Sequence, residues 1–378
     1  MSSTPIPLRG QLHAVLVLGG AGGPTGAHVS SLAGGLVARG VRVTVCGPAV
    51  AEADYAFTGT GARFAPVEIA HRAARSDAAV VAALRAACAD AEVVHAHGLR
   101  AGLLASLALS GRPTPLVVTW HSAVLAEGAR ARLLRWLERR VVRSAAVVLG
   151  ASSDLVDWAR TLGARDARLA PVAVPPPGPV MREPAAETER LRQKTRAEFG
   201  AEDRPLVLAV GRLEPHKGYD LLLDATRLLA DRDPRLLVVV AGEGSQRAAL
   251  ERRIDTERLP VRLVGRRADV TELLAAADVV VLPSRWEARA LIAQEALHAG
   301  VPLVATAVGG IPELVGEAAE LVPYGDPAAL ARVVGRLLDD PGRRAELAAA
   351  GRAQAATWPT EDDTVAQVLS IYDELAQR

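Results

Sequence analysis

The sequence predicts an α/β protein built from two Rossmann-like domains. Three observations lead there. Short apolar runs alternate with helix-like segments along the whole chain, the pattern of parallel sheets covered by helices. Many of these runs end in glycine-rich or Pro-Ser loops. A proline cluster, Pro175-Pro176-Pro177-Gly178-Pro179 with Pro184 beyond it, breaks the chain near its middle and reads as a linker. A length of 378 residues suits two domains. We therefore expect one domain over 1–178 and another over 179–357, with 358–378 as a separate closing helix.

Composition narrows the function classes. Half the residues are apolar and only 3% are aromatic, so Val, Leu and Ala must fill the cores. A net charge of +1 argues against a dedicated nucleic-acid binder. Up to Glu189 there are 19 basic and 14 acidic residues, and beyond it 25 and 29, so the front half is mildly basic. Cys46 and Cys88 form no C-x-x-C pair and read as buried, reduced thiols. No apolar run approaches the roughly 20 residues of a membrane span. No basic segment followed by a secretory apolar region opens the chain. The expected location is cytoplasmic.

The first element is the strand His13-Ala14-Val15-Leu16-Val17-Leu18. A glycine-rich loop, Gly19 to Gly26, leads into an amphipathic helix from about His28 to Arg39, and Val41 to Cys46 is the next strand. Such a loop lets backbone N–H groups approach an anion. A dinucleotide fingerprint fits poorly, because G-x-G-x-x-G is not cleanly spaced and no acidic residue closes the second strand. Phe64 to Val67 is a weak strand and Ala78 to Ala89 an Ala-rich helix. Val93-Val94-His95-Ala96-His97 and Leu116-Val117-Val118-Thr119-Trp120-His121 are strands with polar ends. His97 and His121 thus fall at neighbouring strand mouths, while His95 is expected to point the other way. A zinc site is not expected, since no Asp, Glu or Cys neighbour completes a ligand set. Ala151-Ser152-Ser153 should cap a helix starting near Asp154. Between them, Glu127 to Arg143 reads as a helix bearing six arginines, with Leu133, Leu134, Leu137 and Val141 turned inward. Its second reading is a peripheral contact with anionic lipid at the inner face of the plasma membrane.

The second half carries the sharper motifs. After a helix near Glu189 to Phe199, the strand Leu206 to Val210 enters Gly211-Arg212-Leu213-Glu214-Pro215-His216-Lys217-Gly218. Lysine occurs only at Lys194 and Lys217, so a lysine inside a glycine-bounded loop stands out. Arg212 offers a planar fork of donors and Lys217 a compact charge, a combination suited to a diphosphate. The order of residues is not that of a Walker loop. Val238 to Gly244 is a strand and turn containing Gly242. Val261 to Gly265 follows, and Asp269 opens a helix. Val279-Val280-Val281-Leu282 then ends at Pro283-Ser284, and Glu287 and Glu295 stand eight positions apart. That spacing places Glu295 inside a helix and Glu287 in the loop before it. Such a strand mouth is where parallel sheets bind ligands. Leu303 to Thr306 leads into Gly309-Gly310-Ile311-Pro312-Glu313. Helices from Pro327, from Arg343 and from Thr364 to Leu375 close the chain.

These motifs resemble those of the family 4 retaining glycosyltransferases of the glycosyltransferase-B fold. The likeness rests on G-R-L-x-x-x-K-G, the Gly-x-Gly turn at Gly242, and E-x7-E after Pro-Ser. It rests also on Ala299-Gly300-Val301-Pro302 and the Gly-Gly-x-Pro-Glu turn; in the first half the H-x-H-G and T-x-H segments match more loosely. The resemblance implies two domains facing across a cleft, acceptor-binding in front and donor-binding behind, with the last helix crossing back to the first. It implies transfer of a sugar from a nucleoside-diphosphate donor with retention of configuration and no obligatory metal. Arg212 and Lys217 would hold the diphosphate, Glu287 would lie beside the sugar, and Glu295 and Gly242 would bind the nucleotide. His121 would act on the donor sugar, and Gly22 and Gly23 would face the cleft. Ala288-Arg289-Ala290 departs from the usual Gly-Phe-Gly or Gly-Leu-Pro, making Arg289, with His97, a candidate acceptor or sugar contact. The acceptor would be a small molecule, a glycan or a lipid-linked sugar. The alternatives are a silent nucleotide-sugar-binding protein, a nicotinamide-dependent oxidoreductase and a sugar-nucleotide epimerase.

Overall fold

The computed structural model describes residues 11–20, 23–69, 76–173 and 185–377. The proline cluster, Pro184, the expected boundary at 178/179 and Gly22 lie outside them. The chain divides into two compact units, Met1–Ala173 with Pro359–Arg378, and Val174–Trp358.

The first unit begins β1 (His13–Leu18), α1 (Pro24–Ala38), β2 (Arg42–Gly47), α2 (Ala49–Tyr55), β3 (Arg63–Pro66) and α3 (Asp77–Ala87). It continues β4 (Val93–His97), α4 (Leu99–Ala108), β5 (Leu116–Trp120), α5 (Gly128–Ser144), β6 (Val147–Gly150), α6 (Ser153–Thr161) and β7 (Ala167–Leu169). All seven strands are parallel, in the order β3-β2-β1-β4-β5-β6-β7. Strands β1, β4, β5 and β6 are buried along their full length. That is why they read as apolar runs without alternation.

Three local expectations change. Helix α1 starts at Pro24, not His28, because proline suits the first helical position. Ser152 sits at the N-cap of α6, but its hydroxyl donates to Asp154 at 2.5 Å and does not accept from the helix backbone. On α5, Val141 is buried, Leu134 and Leu137 are half-buried, and Leu133 is 58% exposed with Trp136 beside it at 59%. The arginine-rich helix therefore shows part of its apolar stripe to solvent, while Glu138 takes a buried place on it.

The second unit runs α7 (Ala185–Glu198), β8 (Leu206–Val210), α8 (Tyr219–Arg232), β9 (Leu237–Ala241), α9 (Arg247–Glu257), β10 (Val261–Leu263), α10 (Val270–Ala276) and β11 (Val279–Leu282). Then come α11 (Leu291–Ala299), β12 (Leu303–Thr306), α12 (Ile311–Val315), β13 (Glu320–Val322), α13 (Pro327–Asp339) and α14 (Pro341–Ala355). Its six parallel strands lie in the order β10-β9-β8-β11-β12-β13. Helices cover both faces, giving one apolar cluster around Leu208, Leu282 and Ala296 and another around Val207, Val281 and Leu222.

At Pro359 the chain returns to the first unit and ends in α15 (Glu361–Ala376). A capping box between Thr360 and Asp363 starts this helix. Val365, Val368, Ile371, Tyr372 and Leu375 then enter the core that holds Val29, Leu32 and Leu36 of α1.

Candidate functional site

In both sheets the strand order reverses once, between β1 and β4 and between β8 and β11. A crevice outside the carboxyl ends of the strands forms at such a reversal. In the second unit Lys217 follows β8 and Glu287 follows β11, one from each side of the switch point. Their side chains meet, Lys217 Nζ donating to Glu287 Oε1 at 2.5 Å. Ser284 Oγ donates to the same oxygen at 2.7 Å. Ser284 is fully buried, and its carbonyl accepts from Thr306 Oγ1 at 2.6 Å. Sequence reading noted Ser284 only as the end of a strand. Its position three residues before Glu287 was the signal available.

Backbone bonds join the loops around this pair. Arg285 N–H donates to the His216 carbonyl at 2.8 Å, and Gly310 N–H to the Glu287 carbonyl at 2.8 Å. Gly218 has φ 70, and a Cβ there would overlap the Pro283 carbonyl, so only glycine lets the Lys217 turn approach the β11 loop. Gly242 N–H donates to the Gly265 carbonyl at 2.7 Å, and Leu213 N–H to the Glu243 carbonyl at 2.9 Å. The β9 turn is thereby bonded to the loop that carries Arg212. Arg212 itself is exposed, with its charge near Glu214 and His216. Burial lowers His216, and the neighbouring Lys217 adds to that effect.

Glu295 lies inside α11 and Glu287 before it, as the spacing requires. Glu295 is partly buried, and this burial pushes its carboxyl up. Arg289 follows another course from its neighbours. Its guanidinium carbon stands 5.7 Å from the Trp358 ring, and its buried Nε and Nη2 have no hydrogen-bond partner among the described residues. Burial lowers its basicity, opposed by the charge of Glu313. The structure thus lays Arg289 on Trp358, and no bond joins it to Lys217 or Glu287.

In the first unit the strand mouths gather histidines. His95 and His97 lie 4.3 Å apart, nearly parallel, on one face of β4. The expectation that they point oppositely is wrong, because residues two apart on a strand share a face. His95 Nδ1 meets the Tyr372 hydroxyl at 2.7 Å and its Nε2 meets Thr119 Oγ1 at 2.6 Å. His97 Nδ1 lies 3.1 Å from His121 Nε2. His28, from the second turn of α1, contacts both rings edge-on at 5.6 and 5.4 Å. Sequence reading missed His28, whose signal was its place just after the glycine-rich loop.

Burial holds His28 down to about 4 and His95 to about 3, with His28 adding to the latter. Burial and the neighbouring imidazoles lower His97 and His121 well below the usual histidine range. His97 and His121 line a cavity of about 130 Å³ with Thr25, Trp120, Ser122 and Glu138. Trp158 donates a hydrogen bond to Glu138, but burial dominates and raises that carboxyl. Gly23 is exposed at the N-cap of α1, its carbonyl accepting from Gly26 N–H and the Tyr55 hydroxyl.

Comparison with known proteins gives consistent matches. Residues 192–354 match the family described as glycosyl transferases group 1, and residues 23–175 the glycosyl transferase 4-like domain. A D-inositol 3-phosphate glycosyltransferase of Xylanimonas cellulosilytica is 33% identical over 76% of this chain and 73% of its own. The alpha-D-kanosaminyltransferase of Streptomyces kanamyceticus is 32% identical over 69% of this chain and 71% of its own. Among solved structures, HepE of Anabaena in complex with UDP superposes with a TM-score of 0.81 at 20% identity, covering 96% of this chain and 100% of that one. WaaG, a glycosyltransferase of lipopolysaccharide biosynthesis, gives 0.70 at 19% identity, covering 96% and 99%.

Proposed function

Since the chain belongs to the group 1 glycosyl transferases, with a family 4-like first domain and the glycosyltransferase-B fold, we propose that it transfers a sugar from a nucleoside-diphosphate donor with retention of anomeric configuration. The observation that carries this reading is the contact of Lys217 with Glu287 at the switch point of the second sheet. Relatives and structural neighbours support the donor class: one solved neighbour is a complex with UDP-glucose. The names of the curated relatives favour a small hydroxyl-bearing acceptor.

Breaking the anomeric bond builds positive charge on the sugar ring and negative charge on the departing diphosphate. Lys217 and exposed Arg212 supply cationic donors to that diphosphate, and the N-terminus of α11 adds its dipole. A diphosphate competes with Glu287 for Lys217. Once Lys217 turns to the phosphates, the Glu287 carboxylate, still held by Ser284, is left to stabilise charge on the ring. Glu295 is assigned to the ribose, whose paired hydroxyls would relieve the penalty of its partial burial. Gly242 belongs to the nucleotide-binding turn. His97 and His121 are assigned to acceptor or sugar contact, and His121 to the transfer step. The reaction requires no metal in this scheme, and no D-x-D motif stands where a catalytic ion would need it.

Glu287→Ala, Lys217→Ala and Arg212→Ala should each lower transfer by orders of magnitude while the far-ultraviolet spectrum stays native. Near-normal turnover by the first two would overturn the assignment. The donor can be found by thermal shift against a panel of sugar nucleotides, and the anomeric outcome by proton NMR of the product.

Exposed Leu133 and Trp136 among the arginines of α5 favour a second, compatible property, a peripheral contact with anionic lipid. No helix among the described residues is long and apolar enough to cross a membrane. Trp136→Glu should abolish co-sedimentation with phosphatidylglycerol vesicles if α5 is the contact. Unchanged sedimentation would exclude it.

A further inference from the structure

We propose that His28, His97 and His121 form a binding site for one divalent ion of the zinc class, Zn2+, Co2+ or Ni2+, within the first unit. One nitrogen of each residue lies within 4.8 Å of those of the other two. A tetrahedral ion with Zn–N bonds of about 2.1 Å needs ligand nitrogens roughly 3.4 Å apart. His97 Nδ1 and His121 Nε2 stand at 3.1 Å as a hydrogen-bonded pair, so an ion that takes both displaces the shared proton to the far nitrogen of the donating ring. The His28 nitrogen, within 4.8 Å of the other two, would have to close on them to complete the set.

Two further features separate this cluster from an ordinary polar core. His97 is 3% exposed, and among the described residues its Nε2, across the ring from the Nδ1 that would bind the ion, has no hydrogen-bond partner; it can carry the ring proton when Nδ1 is a ligand. The protein does not use all the polar capacity that it buries there, and buried polar atoms are seldom left so. The rings are also held in place. His97 is stacked between His95 at 4.3 Å and His121 at 5.4 Å, and hydroxyls of Tyr372 and Thr119 fix His95 on both nitrogens. Neutral imidazole is the form that binds transition metals, and burial keeps these rings neutral. The cavity beside His97 and His121 leaves room for a fourth ligand, water or a substrate hydroxyl, next to Ser122 and Glu138. Three imidazoles without a carboxylate suit the borderline ions of the zinc class better than Mg2+ or Ca2+, which take oxygen ligands.

The site does not depend on the proposed transfer reaction, but it bears on it. An ion that engages His121 withdraws that ring from sugar or acceptor, so occupancy and transfer exclude one another.

The test uses full-length protein without a polyhistidine tag, freed of metal by a chelator and titrated with Co2+. We expect one equivalent to bind with the visible absorption of a tetrahedral nitrogen-ligated ion, displaced by Zn2+. His28→Ala should weaken binding at least about 100-fold, since loss of a ligand costs more than loss of an outer-shell partner. His28→Gln serves if the alanine variant does not fold. His13→Ala and His298→Ala, outside the cluster, should leave the titration unchanged. Absence of the absorption, or a band that survives loss of His28, would overturn the site. A separate arm follows transfer, which should fall as Co2+ fills the wild-type protein and return on chelation. Transfer that continues undiminished at full occupancy would overturn the exclusion. A protein that binds Co2+ but transfers no sugar would refute the transferase reading and leave the ion site standing.

Discussion

Lys217 and Glu287 lie 70 positions apart, and no spacing rule joins them. Sequence showed each as a candidate within its own motif. Only the switch point made them neighbours, with Ser284 as the third member. Lys217 shows 20% of its side chain and Glu287 11%, so loss of either leaves a half-buried charge whose partner is gone. Lys217→Met should therefore weaken binding of a nucleoside diphosphate by roughly tenfold or more. Calorimetric titration with a nucleoside diphosphate checks this, and unchanged affinity would contradict the assignment of Lys217 to the phosphates. At His95 the hydrogen bonds are complete, and Tyr372→Phe removes one. The buried imidazole then loses a partner, at a cost of about 1–3 kcal/mol, read as a lower midpoint in urea. The histidines also set an acid limit on stability. Their folded pKa values are lowered, to about 4 at His28 and about 3 at His95, from 6.5 when unfolded. Protons then favour the unfolded chain, so stability is whole above 6.5 and falls as pH drops toward 4. Calorimetry should show Tm declining across that window, and less steeply in His28→Gln.

At the scale of elements, strands were the most legible part of the sequence. A parallel strand buried on both faces needs an unbroken apolar run, and β1, β8, β9 and β11 all have one. Glycine and Pro-Ser ends then marked the mouths where function gathers. Faces and helix margins were less legible. Four residues of α1 were missed because Pro24 and Gly26 look like loop residues. The outward Leu133 on α5 could not be inferred, since the helix's own sequence does not show that Glu138 is buried with a hydrogen bond from Trp158 of another helix. Gly26 and Gly35 show what sequence pattern hides, a close approach by a distant element. A Cβ at Gly35 would stand 2.5 Å from Val365 Cγ2 of α15. Gly35→Val should overpack that contact and cost about 1–3 kcal/mol, seen as a lower melting point. A Gly35→Val, Val365→Ala double variant should recover part of it. Additive losses would mean that the two elements do not press on one another.

For the whole molecule, the chain crosses from one unit to the other and back, yet each unit has its own sheet and its own core. The residues assigned to the donor's nucleotide and diphosphate, Arg212, Lys217, Gly242 and Glu295, all belong to the second unit. The imidazole cluster and α15 belong wholly to the first. A ligand stabilises what it binds by an amount set by its concentration relative to Kd. A nucleoside diphosphate without its sugar should therefore raise the melting of the second unit and leave that of the first in place. Gly35→Val should lower the first alone. Differential scanning calorimetry separates the two only if they melt independently, and the variant provides that separation by pulling the first unit's transition down. Hydrogen exchange then assigns each transition, with protection on added nucleotide expected at 211–218 and 283–295 and not in α1 or α15. Protection confined to α1 and the β4 mouth would move the nucleotide to the first unit, as a nicotinamide-type binding mode at the glycine-rich loop requires, and the assignment of Arg212 and Lys217 would fall with it.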